Sequence, residues 1–512
     1  MASSSRGNGI ERIMMSYSSI VGRKIRLKIA AAIIAAAVPW GACAQTSTVA
    51  PSSSPAGAGF RFGYPTSETS TALYDELDYQ RAVQAYIWAT PLVNSVGVAK
   101  ALESAGLNLA VPAMVVFDKP LSPKQVFMTG NDVSTYGNSV IDLSKTGPFV
   151  VDAPTGVLGG IVDFWQRAVL DIGVGDTRNG AKLLLLPPGY DGPIPTGYIE
   201  VRCRTNRVFL LARGTPKAGE GPDTLVNLLG SIGLYPLAQK DAAQPTRVIR
   251  VGGVPMNSDW PKDYRFFEYL ADGLSDVRVE PQDKLMYAML KPLGLEPGKS
   301  FQPNERQRRI LLKAADTGAA MMANMAFANR FDGRRYWPDR EWEKITFATT
   351  PDFETVERTE LDERAQGWYQ LAMNARYLYT MKPVPGEGTW YASTFRDSTG
   401  AFLHGGNSYR LHVDADTPAK AFWSVTIYDN RTRSMIDTDQ QRAGRGGLSD
   451  LKKNADGSVD LYFGPKAPAG METNWIETIP GQGFFAMFRL YGPLEPAFDG
   501  SWKLNDIAVA RQ

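Results

Sequence analysis

The chain has 512 residues, 44% of them hydrophobic, with 22 Phe, 21 Tyr and 11 Trp. That length exceeds one ordinary core and that composition excludes a disordered chain, so two or three packed domains are expected. Net charge is +2, from 55 basic and 53 acidic residues, a balance that removes the electrostatic basis for nucleic acid as a partner.

Arg23, Lys24, Arg26 and Lys28 form a positive region ahead of an apolar, alanine-rich run over 29–38. Ala42-Cys43-Ala44 then presents the small-residue pattern that signal peptidase cuts. Residues 1–44 therefore read as a signal peptide, and the mature chain, from Gln45, is expected in the periplasm or outside the cell. Lipidation at Cys43 is the alternative, although Trp40-Gly41-Ala42 fits a lipobox poorly. The apolar run is short for a retained membrane span, so no transmembrane segment is expected in the mature chain. Cleavage leaves Cys203 as the sole thiol, which rules out an intrachain disulfide. Its apolar setting between Val201 and Val208 marks it as a small buried hydrophobe rather than a nucleophile.

Residues 45–67, with Ser52-Ser53-Ser54-Pro55, read as a flexible tether. A domain over 68–255 begins with a helix, in which Leu73, Leu77, Val83 and Tyr86-Ile87 recur at helical spacing. Pro91 kinks or interrupts that helix and Gly106 ends it. From about 110, short apolar runs alternate with Gly, Pro, Asn and Asp: 114–117, 149–151, 183–186, 198–201 and 208–211. That cadence predicts a sandwich of antiparallel strands. A linking domain over 256–385 is helical. Pro281 sits at a first turn and Gly294 at an end, and a longer helix from Asn304 carries Ile310, Leu311, Ala314, Met321 and Met325 as core positions. Strands return over 386–512, where Asn454-Ala455-Asp456-Gly457-Ser458 predicts a hairpin turn ahead of Val459 to Phe463.

Within that last domain, period-2 counting places Trp423, Val425 and Ile427 on one face and Ser424, Thr426 and Tyr428 on the other. Phe488 and Leu490 likewise oppose Arg489 and Tyr491. Each strand thus offers an apolar face for a core and a polar-aromatic face. Such a face can hold a sugar, an aromatic or a carboxylate by stacking and hydrogen bonding; the plainer expectation is that it packs against the helices or another subunit.

Tyr86-Ile87-Trp88 with Pro91-Leu92, Asn131-Asp132 with Tyr136, Asp163-Phe164-Trp165 and Leu186-Pro187-Pro188-Gly189-Tyr190 form one set of motifs. Phe266-Phe267-Glu268, Pro292-Leu293-Gly294, Ala421 to Asp429, Asp456-Gly457-Ser458, Asn474-Trp475 and Phe488 to Pro493 form another. Together, over about residues 70 to 510, they resemble bacterial proteins carrying domain of unknown function 1254 followed by domain of unknown function 1214. The resemblance implies a mainly β chain with a helical insert: an immunoglobulin-like sandwich, a small helical domain and a C-terminal jelly-roll sandwich. It implies no agreed reaction. Where relatives often carry a glycine-rich segment, this chain has Gly175-Asp176-Thr177-Arg178-Asn179-Gly180-Ala181-Lys182.

The chain contains two histidines, His404 and His412, so a three-histidine metal centre is impossible. A site completed by Asp414 or Asp416 would need both on one face, and Gly405-Gly406 between them predicts a break. Calcium at Asp414 and Asp416, or at Asp437 and Asp439, stays open; no cofactor is predicted and a divalent metal is not expected. No nucleophile-elbow, metalloprotease or phosphate-loop motif is present. Ser449-Asp450-Leu451-Lys452 matches Ser-x-x-Lys only formally. Carboxylates set among apolar residues remain the route to acid–base chemistry. Asp132 and Asp429 are candidates, although Asn-Asp and Asp-Asn pairs usually bond their own turns. Asp163 beside Trp165 needs a partner, which Arg167 or Arg178 can supply.

The reading is a hydrolase or lyase with its site where the two β domains meet. Asp132, Asp429 and Tyr428 are the candidate catalytic residues, and Tyr136, Trp165, Trp475, Arg489 and Tyr491 the candidate binding residues for a small-molecule or carbohydrate ligand. The alternatives are a non-catalytic carbohydrate- or partner-binding envelope protein and a structural homo-oligomer.

Overall fold

The computed structural model describes residues 59–214, 222–275, 277–372 and 384–510. The expected leader, with Cys43, and the tether up to residue 58 lie outside them. The rest of the expected tether is a small hairpin, Phe60–Arg61 paired with Tyr64–Pro65. Thr66 then caps a helix, accepting a bond from the Thr69 N–H.

That helix, Ser67–Ser104, runs on through Pro91. A proline inside a helix removes one backbone donor, yet this stretch is enclosed: every residue from Ala85 to Ala99 is buried, so packing outweighs the lost bond. Around it lie Arg265–Leu274, Lys284–Leu290, Glu305–Phe327 and Leu361–Gln370. Asn304 and Gln307 form a reciprocal capping box at the start of Glu305–Phe327. Its buried stripe is Ile310, Leu311, Ala314, Ala315, Gly318, Met322 and Ala326, whereas Met321 is exposed. Met321 falls one position off the 3.6-residue stripe, which corrects its expected place in the core. Gly294, at a φ of 83°, ends the preceding turn as expected.

The apolar runs from 114 to 211 are all strands. The six-stranded sheet has the order Arg247–Arg250, Ala113–Val116, Tyr136–Asp142, Arg207–Arg213, Leu158–Asp163, Ala168–Ile172. The facing four-stranded sheet runs Ile199–Arg202, Ala181–Leu186, Phe149–Ala153, Gly233–Pro236. Two outer pairings are parallel, so the sandwich is mixed rather than wholly antiparallel. Between the sheets lie Met114, Val116, Ile141, Phe149, Val151, Leu183, Leu185, Val208 and Leu210. The alternate positions Val140, Phe164 and Phe209 join a second core shared with the helices. The larger sheet is therefore covered on both faces.

In the C-terminal sandwich one sheet orders Thr389–Thr394, Phe484–Pro493, Ala419–Asp429 and Gly444–Gly446. The other orders Trp475–Glu477, Val459–Gly464, Tyr409–Val413 and Ala508–Val509. The Asn454–Ser458 turn closes, the Asn454 and Ser458 backbones bonding at 2.9 Å, but it joins no hairpin. Val459–Gly464 pairs with Tyr409–Val413. The backbone of Lys452 is instead taken by the Asn474 side chain, with both bonds at 2.8 Å. The architecture is mainly β with a helical layer, and no helix among the described residues is long and apolar enough to cross a membrane.

Gly97, on the buried length of the first helix, sits under the Ser258 carbonyl; a Cβ there would lie 2.5 Å from that oxygen. Gly97→Ala gains roughly 0.5–1 kcal/mol of helix propensity but forces apart two backbones, and overpacking costs about 1–3 kcal/mol. The clash wins: the urea midpoint should fall with an unchanged slope.

Candidate functional site in the cleft between the sandwiches

Strand alternation builds the cleft. On Arg207–Arg213, residues Val208, Leu210 and Ala212 point into the sandwich core, so Leu211 and Arg213 fall on the opposite face. Tyr136 and Asn138 on the paired strand share that face. Together with Leu158, Gly159, Asp171 and Ile172 they line a cavity of about 200 Å³. The opposing wall is C-terminal: Gly388, Thr389, Tyr391 and Arg489. The segment 127–131 and Leu371 with Ala372 close the floor.

The polar-aromatic face counted from the sequence forms this second wall and the layer behind it. Tyr391 is opposite Arg489, which is opposite Ser424, and Thr389 is opposite Tyr491, which is opposite Phe422. Arg489 is buried. Its Nη1 donates to the Thr426 hydroxyl at 3.3 Å, and its Nη2 to the Thr129 carbonyl and the Tyr428 hydroxyl, both at 2.8 Å. Tyr428 donates in turn to the Gly130 carbonyl at 2.7 Å. All of these partners are neutral, and the Arg489 Nε–H has none among the described residues. Arg213, on the facing wall, donates to the Thr389 hydroxyl at 3.2 Å and lies 5.8 Å from the Tyr491 ring.

Burial works against the Arg489 charge, but the surrounding Tyr428, Tyr491 and Tyr391 outweigh it and hold its pKa above the ordinary value. Burial pushes the phenols of Tyr391, Tyr428 and Tyr491 up. They therefore stay protonated; Tyr428 donates to Gly130, and the Tyr491 hydroxyl has no partner among the described residues. One end of an otherwise apolar cavity is thus cationic and rich in hydroxyls.

The expected site residues divide. Tyr136 lines the cleft, its hydroxyl accepting from the Asn131 amide at 2.7 Å. Tyr428 stands behind Arg489. Tyr491 is buried and stacked on Phe422, ring centroids 4.2 Å apart. Asp132 follows the lining residues Gly130 and Asn131, its carboxyl set over Gly444. Burial raises its pKa against the pull of Arg442, Arg489 and Arg445, and its Oδ1 has no hydrogen-bond partner among the described residues.

The other three lie away from the lining. Asp429 takes the turn role: it accepts from the Arg431 N–H and guanidinium, both at 2.7 Å, and although burial works to raise its pKa, those bonds hold it below the ordinary value. Trp165 packs in the helical layer, 4.6 Å from Trp88, because Asp163 turns the chain there. The Asp163 carboxylate binds the backbone of Trp165 and Arg167 and pairs with the Arg167 guanidinium at 2.7 Å. Trp475 is on the other C-terminal sheet, its indole donating to the Gly464 carbonyl at 2.8 Å. Asn138, Arg213, Thr389 and Tyr391 were missed. Alternation places them on common faces, but only strand register brings those faces together.

The two histidines stand apart. His412 Nδ1 bonds Asp460 at 2.8 Å, while His404 receives the Gly406 N–H at 3.2 Å. Among the described residues no three His, Cys, Asp or Glu side chains are arranged to hold a metal ion. Cys203 is buried and its thiol is pushed up to about 12 by that burial.

Two family models match: protein of unknown function (DUF1254) over residues 113–236 and protein of unknown function (DUF1214) over residues 388–495. The chain carries both domains, in that order. The first spans the strands of one cleft wall and the second those of the other. The fold resembles the crystal structure of the VPA0106 protein from Vibrio parahaemolyticus, at TM-score 0.51 and 19% identity, over 85% of this chain and 100% of that one. An uncharacterised protein from Burkholderia cenocepacia aligns over 87% of this chain and 97% of its own at TM-score 0.38 and 13% identity. Among curated proteins, none matches.

A raised Asp132 pKa means that the folded chain holds this proton more tightly than the unfolded one. Its contribution is therefore favourable below the unfolded value and is lost as pH rises through the folded pKa. Asp132→Asn should melt progressively higher relative to the parent as pH is raised from 4 to 7; a constant difference would refute the burial assignment.

Proposed function

We propose that the chain is a hydrolase or lyase that acts on a small molecule in the cleft between its two sandwiches, by acid–base chemistry of its own side chains. The observation that carries this is Arg489, a buried cation with an unpartnered Nε–H beside an apolar cavity. A fixed positive charge in a water-poor site stabilises negative charge as it develops in a transition state. Tyr136 and Tyr391 supply neutral hydroxyl donors on either wall. Asp132, on the loop that floors the cleft, has a carboxyl moved by burial towards the range useful for proton transfer.

A non-catalytic binding protein is the second reading. It is favoured by the position of Asp132 beside, rather than in, the lining. Both readings are tested by incubating the protein with a mixture of small esters, amides, glycosides and hydroxy acids and following each compound by mass spectrometry. Catalysis predicts that at least one compound is converted and that Leu158→Trp, which fills the cavity, abolishes the conversion. Asp132→Asn should then lower kcat by about 10²-fold or more, the contribution of a general acid or base, with KM little changed. Compounds retained but never altered would leave the binding reading.

We further propose that the protein works in the periplasm or outside the cell. Support comes from the basic residues 23–28, the apolar run and Ala42-Cys43-Ala44. Mass spectrometry of the exported chain should find Gln45 at its N-terminus; an acylated Cys43 would convert the assignment to a lipoprotein.

A further inference from the structure

Arg489 is buried at 2% exposure, and among the described residues it makes no ion pair, Asp132 acting on it only at longer range; a buried charge without a close counter-ion is among the more expensive features a fold can hold. Among the described residues its bonds go only to a carbonyl and two hydroxyls. Arg213 faces the same cavity, bonded to the Thr389 hydroxyl. Two guanidinium groups thus line the cleft against one carboxylate among the described lining residues, Asp171. The remainder of the wall is mixed: Phe117, Leu121, Phe127, Leu158, Ile172 and Leu371 form its apolar part, and Asn131, Tyr136, Asn138, Thr389 and Tyr391 add neutral polar groups.

We infer that the ligand of this cleft is a small monocarboxylate with an apolar body, its carboxylate at the end of the cleft lined by Arg489 and Arg213 and its body against Phe117, Leu121, Phe127 and Leu158. This deepens, and rests on, the reading of the cleft as a small-molecule site. The Arg489 Nη groups already donate to Thr426, Thr129 and Tyr428, so the cleft has few uncommitted charged donors, which suits one planar monoanion better than a phosphate dianion that would seek several backbone or cationic donors. Size agrees: a cavity of roughly 150 Å³ is enough for benzene, so one of about 200 Å³ takes a single ring, or a comparable chain, together with its carboxylate.

The test is calorimetric titration of the whole protein with benzoate, phenylacetate and 3-phenylpropionate, and with benzamide, benzyl alcohol, phenyl phosphate and glucose. At least one acid should bind tenfold or more tightly than its neutral analogue and than phenyl phosphate. Leu158→Trp should remove that binding, and Arg489→Lys should weaken it by at least tenfold. The wild-type comparison of acid with amide needs no variant, so it stands even if Arg489→Lys fails to fold. Benzamide, benzyl alcohol, phenyl phosphate or glucose binding as well as the acids in a Leu158→Trp-sensitive manner would overturn the carboxylate assignment and leave the cleft reading intact. Acids that bind equally to Leu158→Trp, or no binding by any probe, would overturn both.

Discussion

The seam between the two sandwiches depends on a buried guanidinium. Arg489 extends from the C-terminal sheet to the Thr129 carbonyl, and the Tyr428 that supports it reaches the adjacent Gly130 carbonyl. Arg433 works beside it: its backbone carbonyl accepts from the Thr129 N–H at 2.7 Å, and its side chain pairs with Asp259 at 2.9 Å. The Thr129 N–H and the Thr129 and Gly130 carbonyls are therefore satisfied by the other half of the chain, while the Phe127 and Gly130 N–H groups bond locally. Charge-assisted bonds to carbonyls are directional, so they fix the spacing of the two walls as hydrophobic contact alone would not.

Much of this architecture is legible in the residues because burial imposes periodicity. Alternation at 208–211 and 423–428 gives strands with two chemically distinct faces, and those faces are found in the structure. Asn304 and Gln307 mark a helix start, and Gly294 a stop, through local backbone chemistry that needs no tertiary partner. Met321 fails by one position, since two adjacent methionines both fit an apolar stripe and only packing selects Met322. The 454–458 turn fails for a different reason. Its backbone signal is sound, but a hairpin also needs a preceding strand, and Asn474, distant in sequence, takes that segment's hydrogen bonds.

The cleft was half legible. Tyr136 and Arg489 are conspicuous as polar residues in apolar runs, and both line it. Trp165 and Trp475 are conspicuous in the same way but are placed elsewhere, Trp165 by the turn at Asp163, which binds its backbone N–H, and Trp475 by its indole bond to the Gly464 carbonyl. Sequence distinguishes an aromatic that is polar for packing from one that is polar for a ligand only when the partner is near in sequence. Asp163 and Arg167, four residues apart, were readable; Tyr391 and Arg489, cross-strand neighbours 98 positions apart, were not.

Buried arginines in this chain show three outcomes. Arg167 pairs with Asp163 at 2.7 Å, and Coulombic attraction from that carboxylate outweighs the penalty of burial. Arg364 lies in the helical layer with its Nη2 on the Trp88 carbonyl; burial dominates and lowers its pKa to about 10. Arg489 is buried like Arg364, yet the hydroxyl-rich environment holds its charge in place. Of the three, Arg489 lines the cleft between the sandwiches. A fold that needed only to join two sheets here would do so with apolar residues of similar volume, which replace buried charges at little or no loss of stability. Retaining a charged, incompletely bonded side chain at the wall of an apolar cleft is a stability loss of the kind that binding an anion offsets.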